Sequence, residues 1–175
     1  SEAQSDFFYQ VFPKQVEVGE KQSSTIDWIL KRIADSRNEP APRELIFFLN
    51  KIVDKQAARL ERGEDEPTEG NLFDRAVFKE ALPDLSEYRT TKMLYAEYPE
   101  LKEFIEALRG EKAEQTVSTL ATTWRAPEEE ARKIAWRLAE IGFFEQRGSK
   151  DNPSFWVPFI YRPYLALVQG RAEEL

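Results

Sequence analysis

A mainly α-helical chain ending in a winged helix-turn-helix is the fold class predicted here, and three observations predict it. First, Val117, Leu120, Ala121 and Trp124 recur at helical spacing and are followed by the break Arg125-Ala126-Pro127. Second, Ala131, Ile134, Ala135, Leu138 and Ile141 give another amphipathic helix. Pro127 suits its first turn, where a missing N–H costs nothing, and Glu128, Glu129 and Glu130 suit the positive end of its dipole. Gly142 ends it at a position that favours a left-handed residue. Third, Phe143-Phe144 and Phe155-Trp156-Val157 read as two short strands around a polar loop, 147–153, which is the expected wing.

Residues 6–12 are aromatic and β-prone and precede Pro13, so a strand or extended arm is expected there. Ser23, Ser24 and Thr25 supply caps for a helix from Ile26 to Ile33. Pro42 starts a strong helix through Leu45, Leu49, Ile52, Gln56 and Leu60, and Gly63 stops it. The acidic stretch 63–70 is the best internal linker, and its spacing matches no calcium loop. A helix over 72–82 should stop at Pro83, another should run over 85–97, and a third over 101–108 should end at Gly110. A last short helix is expected over 161–168. The resulting division is an N-terminal arm over 1–23, a helical subdomain over 24–70, connecting helices over 71–98 and a winged-helix domain over 99–175.

Composition excludes several chemistries. Neither cysteine nor histidine occurs among the 175 residues. That removes thiolate and imidazole metal ligation, and Cys-His or Ser-His nucleophiles. It also removes disulfides, which fits a cytoplasmic protein. No apolar run is long enough for a membrane span or a signal peptide. The chain begins at Ser1 and its only methionine is Met93, so a processed chain or a piece of a longer protein is expected. The formal net charge is −7, and residues 111–175 carry 9 basic and 10 acidic side chains. A dedicated DNA-binding domain normally presents a positive field instead.

Over residues 24–50 the run from Ser24-Thr25-Ile26-Asp27-Trp28 to Ala41-Pro42-Arg43-Glu44-Leu45-Ile46-Phe47-Phe48-Leu49-Asn50 resembles the region just after the nucleotide-binding core of bacterial P-loop ATPases of AAA+/STAND type. Leu94 to Leu101, Ala107 to Glu111 and Arg147-Gly148-Ser149-Lys150 are similar to later parts of those proteins. The resemblance spans roughly Phe7 to Gly170. It implies that 24–70 is a lid-like subdomain, that the chain is the regulatory or interaction tail of a longer ATPase, and that ATP and Mg belong to the upstream core of the parent protein. The chain itself has no Gly-x-x-x-x-Gly-Lys-Ser/Thr and no Walker B strand. No cofactor and no catalytic activity are therefore expected of it alone. Its expected partners are that upstream core, a second protein or a second copy of itself, and no membrane.

Two sets of residues are candidates for a site. The resemblance implies that Arg43, at the start of a lid helix, reaches nucleotide phosphates in the full protein, since a guanidinium binds phosphate oxygens in a fork. The plain alternative is an exposed first-turn arginine paired with Glu44, Glu39 or Asp35. Asn50 lies seven residues on, near the same face. The second set is Arg132, Lys133, Arg137, Arg147 and Lys150, which meet phosphates if the winged helix binds DNA. Glu128, Glu129 and Glu130 would repel DNA at the helix end that usually approaches the bases, so charge favours protein contact. Phe7, Phe8, Tyr9, Phe12, Phe155, Trp156, Phe159, Tyr161 and Tyr164 have no basic groove beside them in sequence and are expected mostly in the core.

Overall fold

The computed structural model describes residues 2–37, 42–67, 70–149 and 151–172. The chain is mainly helical with one four-stranded mixed sheet. It divides into two compact units, one of Ser1–Ile33 with Ala41–Leu85, the other of Ala34–Pro40 with Ser86–Leu175. These units cut across the four segments read from the sequence. Among the described residues no helix is long and apolar enough to cross a membrane.

In the N-terminal unit the strand or extended arm expected over 6–12 is instead a helix, α1 (Glu2–Val11). Its aromatic content suggested a strand, but Phe8 and Phe12 are spaced to share a helix face, and their rings stack at 4.5 Å. Phe12 then stacks on Phe73 at 5.0 Å and meets Phe78 edge-on at 6.1 Å. Tertiary packing of this kind overrides local β propensity. α2 (Thr25–Ile33) starts where the serines suggested, with the Asp27 amide donating to Ser24 Oγ at 3.3 Å. Trp28, Ile29 and Ile33 form its buried face. α3 (Pro42–Glu61) buries Phe48, Ile52 and Gln56, and the Gln56 side-chain carbonyl accepts from the Asp74 amide at 2.7 Å. α4 (Arg75–Glu87) is capped by Asp74, whose carboxylate accepts from the Ala76 amide at 2.7 Å.

Pro83 does not stop this helix, as the sequence suggested, but lies inside α4. A proline removes the bond to the carbonyl four residues back. Here that carbonyl belongs to Lys79, and both residues are exposed, so the lost bond lies on the solvent side of the helix, where it costs least. The separate helix expected over 85–97 is the continuation of the same run: a π-helical stretch, Tyr88–Leu94, and then α5 (Tyr95–Glu97). Thr90 and Thr91 donate their hydroxyls to the carbonyls of Ser86 and Glu87, at 2.8 and 2.9 Å, within the widened turns.

In the C-terminal unit the expected helix over 101–108 is shorter, a 3₁₀ turn Pro99–Leu101 followed by α6 (Lys102–Glu106). β1 (Lys112–Thr116) comes next and then α7 (Val117–Trp124). The sequence reading contained no strand at β1, whose composition carries no β signal except Thr116. Thr116 closes a reciprocal cap with Thr119, with amide-to-hydroxyl distances of 2.9 and 3.2 Å. Arg125, at φ +52°, breaks the chain between α7 and α8 (Glu128–Glu140). β2 (Glu145–Gly148) and β3 (Pro153–Trp156) form an antiparallel hairpin. The strands begin two residues from where they were expected, because Phe143 and Phe144 are both buried and cannot alternate across a sheet.

The last expected helix is divided. A 3₁₀ turn, Phe159–Tyr161, leads to α9 (Arg162–Leu165), Ala166 turns left-handed at φ +50°, and β4 (Val168–Arg171) pairs parallel with β1. The sheet order is β2-β3-β1-β4, with β1 and β3 antiparallel. Leu120, Ala131, Ala135, Leu138, Phe143, Phe144, Phe155 and Tyr161 make the buried centre of this unit.

Gly142 follows α8 at φ +88°, as its position in the sequence suggested, and a Cβ there would lie 2.8 Å from Asp35 Oδ2. Gly63 has a similar φ of +77° with nothing within 4 Å. Gly142→Ala is expected to lower stability by about 2–3 kcal/mol, strain and clash together, against about 1 kcal/mol for Gly63→Ala from backbone conformation alone. Urea denaturation of the two variants measures this, and equal midpoints would contradict the close approach.

Candidate interaction surface

The surface singled out by the sequence is built by α7, α8 and the β2–β3 hairpin. α8 packs its Ala131, Ala135 and Leu138 face inward, which leaves Glu128, Glu129, Glu130, Lys133, Arg137 and Glu140 exposed. The Lys133 ammonium sits 2.9 Å from Glu129, one helical turn away, and Arg137 sits 3.2 Å from Glu140. Lys133 holds the Glu129 carboxyl below the usual carboxylate range through its hydrogen bond and charge. Arg137 also lies 5.6 Å from the Tyr98 ring centre. On the hairpin, Arg147 pairs with Glu145 at 2.9 Å and covers the Trp156 ring at 4.2 Å. Lys150 lies outside the described residues.

Arg132 differs from these three. It is half-buried and borders a cavity of about 210 Å³ together with Thr116, Ser118, Glu128, Asp151 and Asn152. Glu128 and Asp151 put two carboxylates beside the one guanidinium, so the cavity does not favour an anion. The four described cations of the candidate set are therefore brought onto one unit, but each stands among carboxylates rather than in a positive field. Arg43 is exposed on the first turn of α3 in the other unit, and Asn50 is exposed on the same face. Asp35, one of the partners considered for Arg43, is occupied by Arg37 and Arg89. Among the described residues no group of three or more acidic side chains forms a metal-holding cluster.

Two polar clusters of the C-terminal unit escaped the sequence reading. In the first, the buried Asp35 carboxylate accepts from the Arg37 amide at 2.9 Å, from Arg37 Nη2 at 3.0 Å and from Arg89 Nη2 at 3.1 Å. Arg89 Nε reaches the buried Tyr161 hydroxyl at 3.4 Å. In the second, Glu106 Oε1 accepts from the Tyr95 and Tyr164 hydroxyls, both at 2.9 Å, while Oε2 accepts from Arg109 Nη2 at 2.7 Å. Their members are separated by 54 and 58 residues, a distance at which no local pattern joins them. Trp156 is also flanked by a second arginine: Arg162, on α9, lies 4.0 Å from the ring centre and donates from Nε to the Val157 carbonyl at 2.8 Å. Phe155 and Tyr161 are core residues, as expected, whereas Phe7 is exposed.

The chain matches no protein-family model, no curated protein and no solved structure.

Burial pushes the Glu106 carboxyl up, but its hydrogen bonds from Arg109, Tyr164 and Tyr95 outweigh this and hold it below its ordinary value of 4.5. A depressed carboxylate contributes stability above its unfolded value and loses it as pH falls through the folded one. Wild type should therefore exceed Glu106→Gln in urea midpoint by a constant margin well above pH 4.5, and that margin should shrink below it. A margin independent of pH would show that the carboxylate charge is not what the cluster uses.

Proposed function

We propose that the C-terminal unit is a winged helix-turn-helix whose exposed α8 face contacts protein, and that the chain is the regulatory or interaction tail of a P-loop ATPase. The order α6-β1-α7-α8-β2-β3, with a hairpin after the second helix of the pair, supports the winged-helix assignment. The observation that carries the choice of partner is the charge arrangement on α8. Three exposed glutamates occupy its first turn, and its exposed cations are already paired with carboxylates of the same helix. DNA binding rests on releasing counterions by meeting phosphates with free cations. A surface of interspersed charges is better suited to a protein of complementary pattern.

The ATPase setting rests on the resemblance of 24–50 and the later runs to AAA+/STAND proteins. In that setting ATP and Mg bind the upstream core, and Arg43, exposed at the start of α3, reaches the phosphates as a sensor. The protein works in the cytoplasm and transmits nucleotide state through this tail. A DNA-binding regulator is the second reading. It is favoured by one observation, the Arg147 guanidinium stacked on Trp156 at the hairpin, a pairing that also stacks on bases.

Fluorescence anisotropy with random duplex DNA at about 150 mM salt, near physiological screening, separates the two. Dissociation constants weaker than about 100 μM, at the weak end of non-specific binding, are expected. Binding tighter than about 10 μM that is lost in the Arg132→Ala, Lys133→Ala, Arg137→Ala triple variant would overturn protein contact in favour of DNA.

A further inference from the structure

The outer face of α3 carries a second apolar stripe that the fold of its own unit does not use. Phe48, Ile52 and Gln56 face the core, whereas Ile46, Val53 and Leu60 are 62%, 51% and 45% exposed. These three are seven residues apart, and Asn50 and Ala57, also exposed, fall between them. Positions 46, 50, 53, 57 and 60 thus repeat the alternating three- and four-residue spacing of a coiled-coil seam, with an asparagine at one of the inner places. A soluble helix rarely leaves so regular a stripe facing water without a partner.

We infer that this stripe is a homodimer seam, with α3 of one protomer lying antiparallel against α3 of a second copy. Two features of the face select a second copy as the occupant. The stripe is symmetric about Val53: Ile46 and Leu60 each lie seven residues away, about 10.5 Å along the axis. A two-fold axis through Val53 therefore sets Ile46 against the partner's Leu60 and Leu60 against the partner's Ile46. The flank is self-complementary too. Arg43 and Glu61 lie on the same side of the stripe, at opposite ends of the helix. The same two-fold brings the Arg43 guanidinium within about two residues of rise, about 3 Å along the axis, of the partner's Glu61, and does so twice. Asp54 comes near its own symmetry mate on this flank, and Lys51, 2.9 Å away, offsets its charge. A parallel arrangement loses this pairing, since it leaves Arg43 and the partner's Glu61 at opposite ends of the helices and on opposite flanks of the seam.

Sedimentation equilibrium of the whole chain between about 5 and 500 μM, a range that brackets weak association, tests this. A concentration-dependent dimer is expected. Val53→Glu places two carboxylates at the symmetry centre and should weaken the dimer at least 30-fold. Glu61→Arg should weaken it about tenfold, and Arg43→Glu with Glu61→Arg should restore it. All of these positions are exposed, so the variants should keep the wild-type circular dichroism and urea midpoint. Because the chain has no cysteine, mixing Ile46→Cys with Leu60→Cys protein should give the mixed disulfide in preference to either symmetric one. A chain that stays monomeric at 500 μM, a dimer that Val53→Glu leaves intact, or preferential Ile46→Cys self-linkage would each overturn the inference.

Discussion

The C-terminal unit depends on one buried carboxylate. Asp35 belongs by sequence to the stretch between two helices of the N-terminal unit, yet it is part of the C-terminal one. Its oxygens collect Arg37 beside it and Arg89 from the π-helical stretch, and Arg89 continues to Tyr161. The turn after α8 comes close to the same carboxylate: a Cβ at position 142 would lie 2.8 Å from Asp35 Oδ2, at a φ of +88° that already favours glycine. A buried charge is costly unless paired and hydrogen-bonded, and here two guanidinia and a backbone amide meet that requirement. The Ser36 amide ties this segment to the turn that follows α8, at 3.1 Å from the Gly142 carbonyl, while burial of Ala131, Ala135 and Leu138 sets the exposed face of that helix.

What that face offers follows from its charges rather than from its shape. Helix pairs followed by a hairpin serve as scaffolds for unrelated partners, so the fold alone does not choose among them. On α8 the choice comes from Glu128, Glu129 and Glu130 and from cations held by neighbouring carboxylates. Exposed pairs of this sort add little stability. Their effect is on recognition: they lower the positive potential that a phosphate backbone would need. The outer face of α3 is the opposite case: Ile46, Val53 and Leu60 run along its centre, and the charges of Arg43, Asp54 and Glu61 lie on its flank, a pattern that suits burial.

Much of this was legible in the sequence where the signal is local. The cap at Ser24, the start of α3 at Pro42, the α7–α8 pair and the left-handed Gly142 all follow from residues within a turn of one another. The failures came where distant contacts overrule local preference. Phe8 and Phe12 look like strand residues until Phe73 and Phe78 give them a helix-side partner. Pro83 reads as a stop, but the bond it removes lies on the solvent side. β1 has almost no strand propensity and exists because β3 and β4 pair with it. The candidate cations stand out in the sequence, but the pairing of Lys133, Arg137 and Arg147 with Glu129, Glu140 and Glu145 alters what they offer, and only the i,i+3 and i,i+4 spacings on α8 signal it.

Native-state hydrogen exchange of the whole chain tests the role of Asp35 most directly. The Ser36 amide donates to the Gly142 carbonyl at 3.1 Å, although its chain neighbours form a loop. The Val157 amide donates to the Ala113 carbonyl at 2.8 Å and reports on the sheet. If Asp35 joins its segment to the C-terminal unit, Ser36 should exchange as slowly as Val157, through the same cooperative opening. Exchange of Ser36 at the rate of an open loop, with Val157 still protected, would contradict the account.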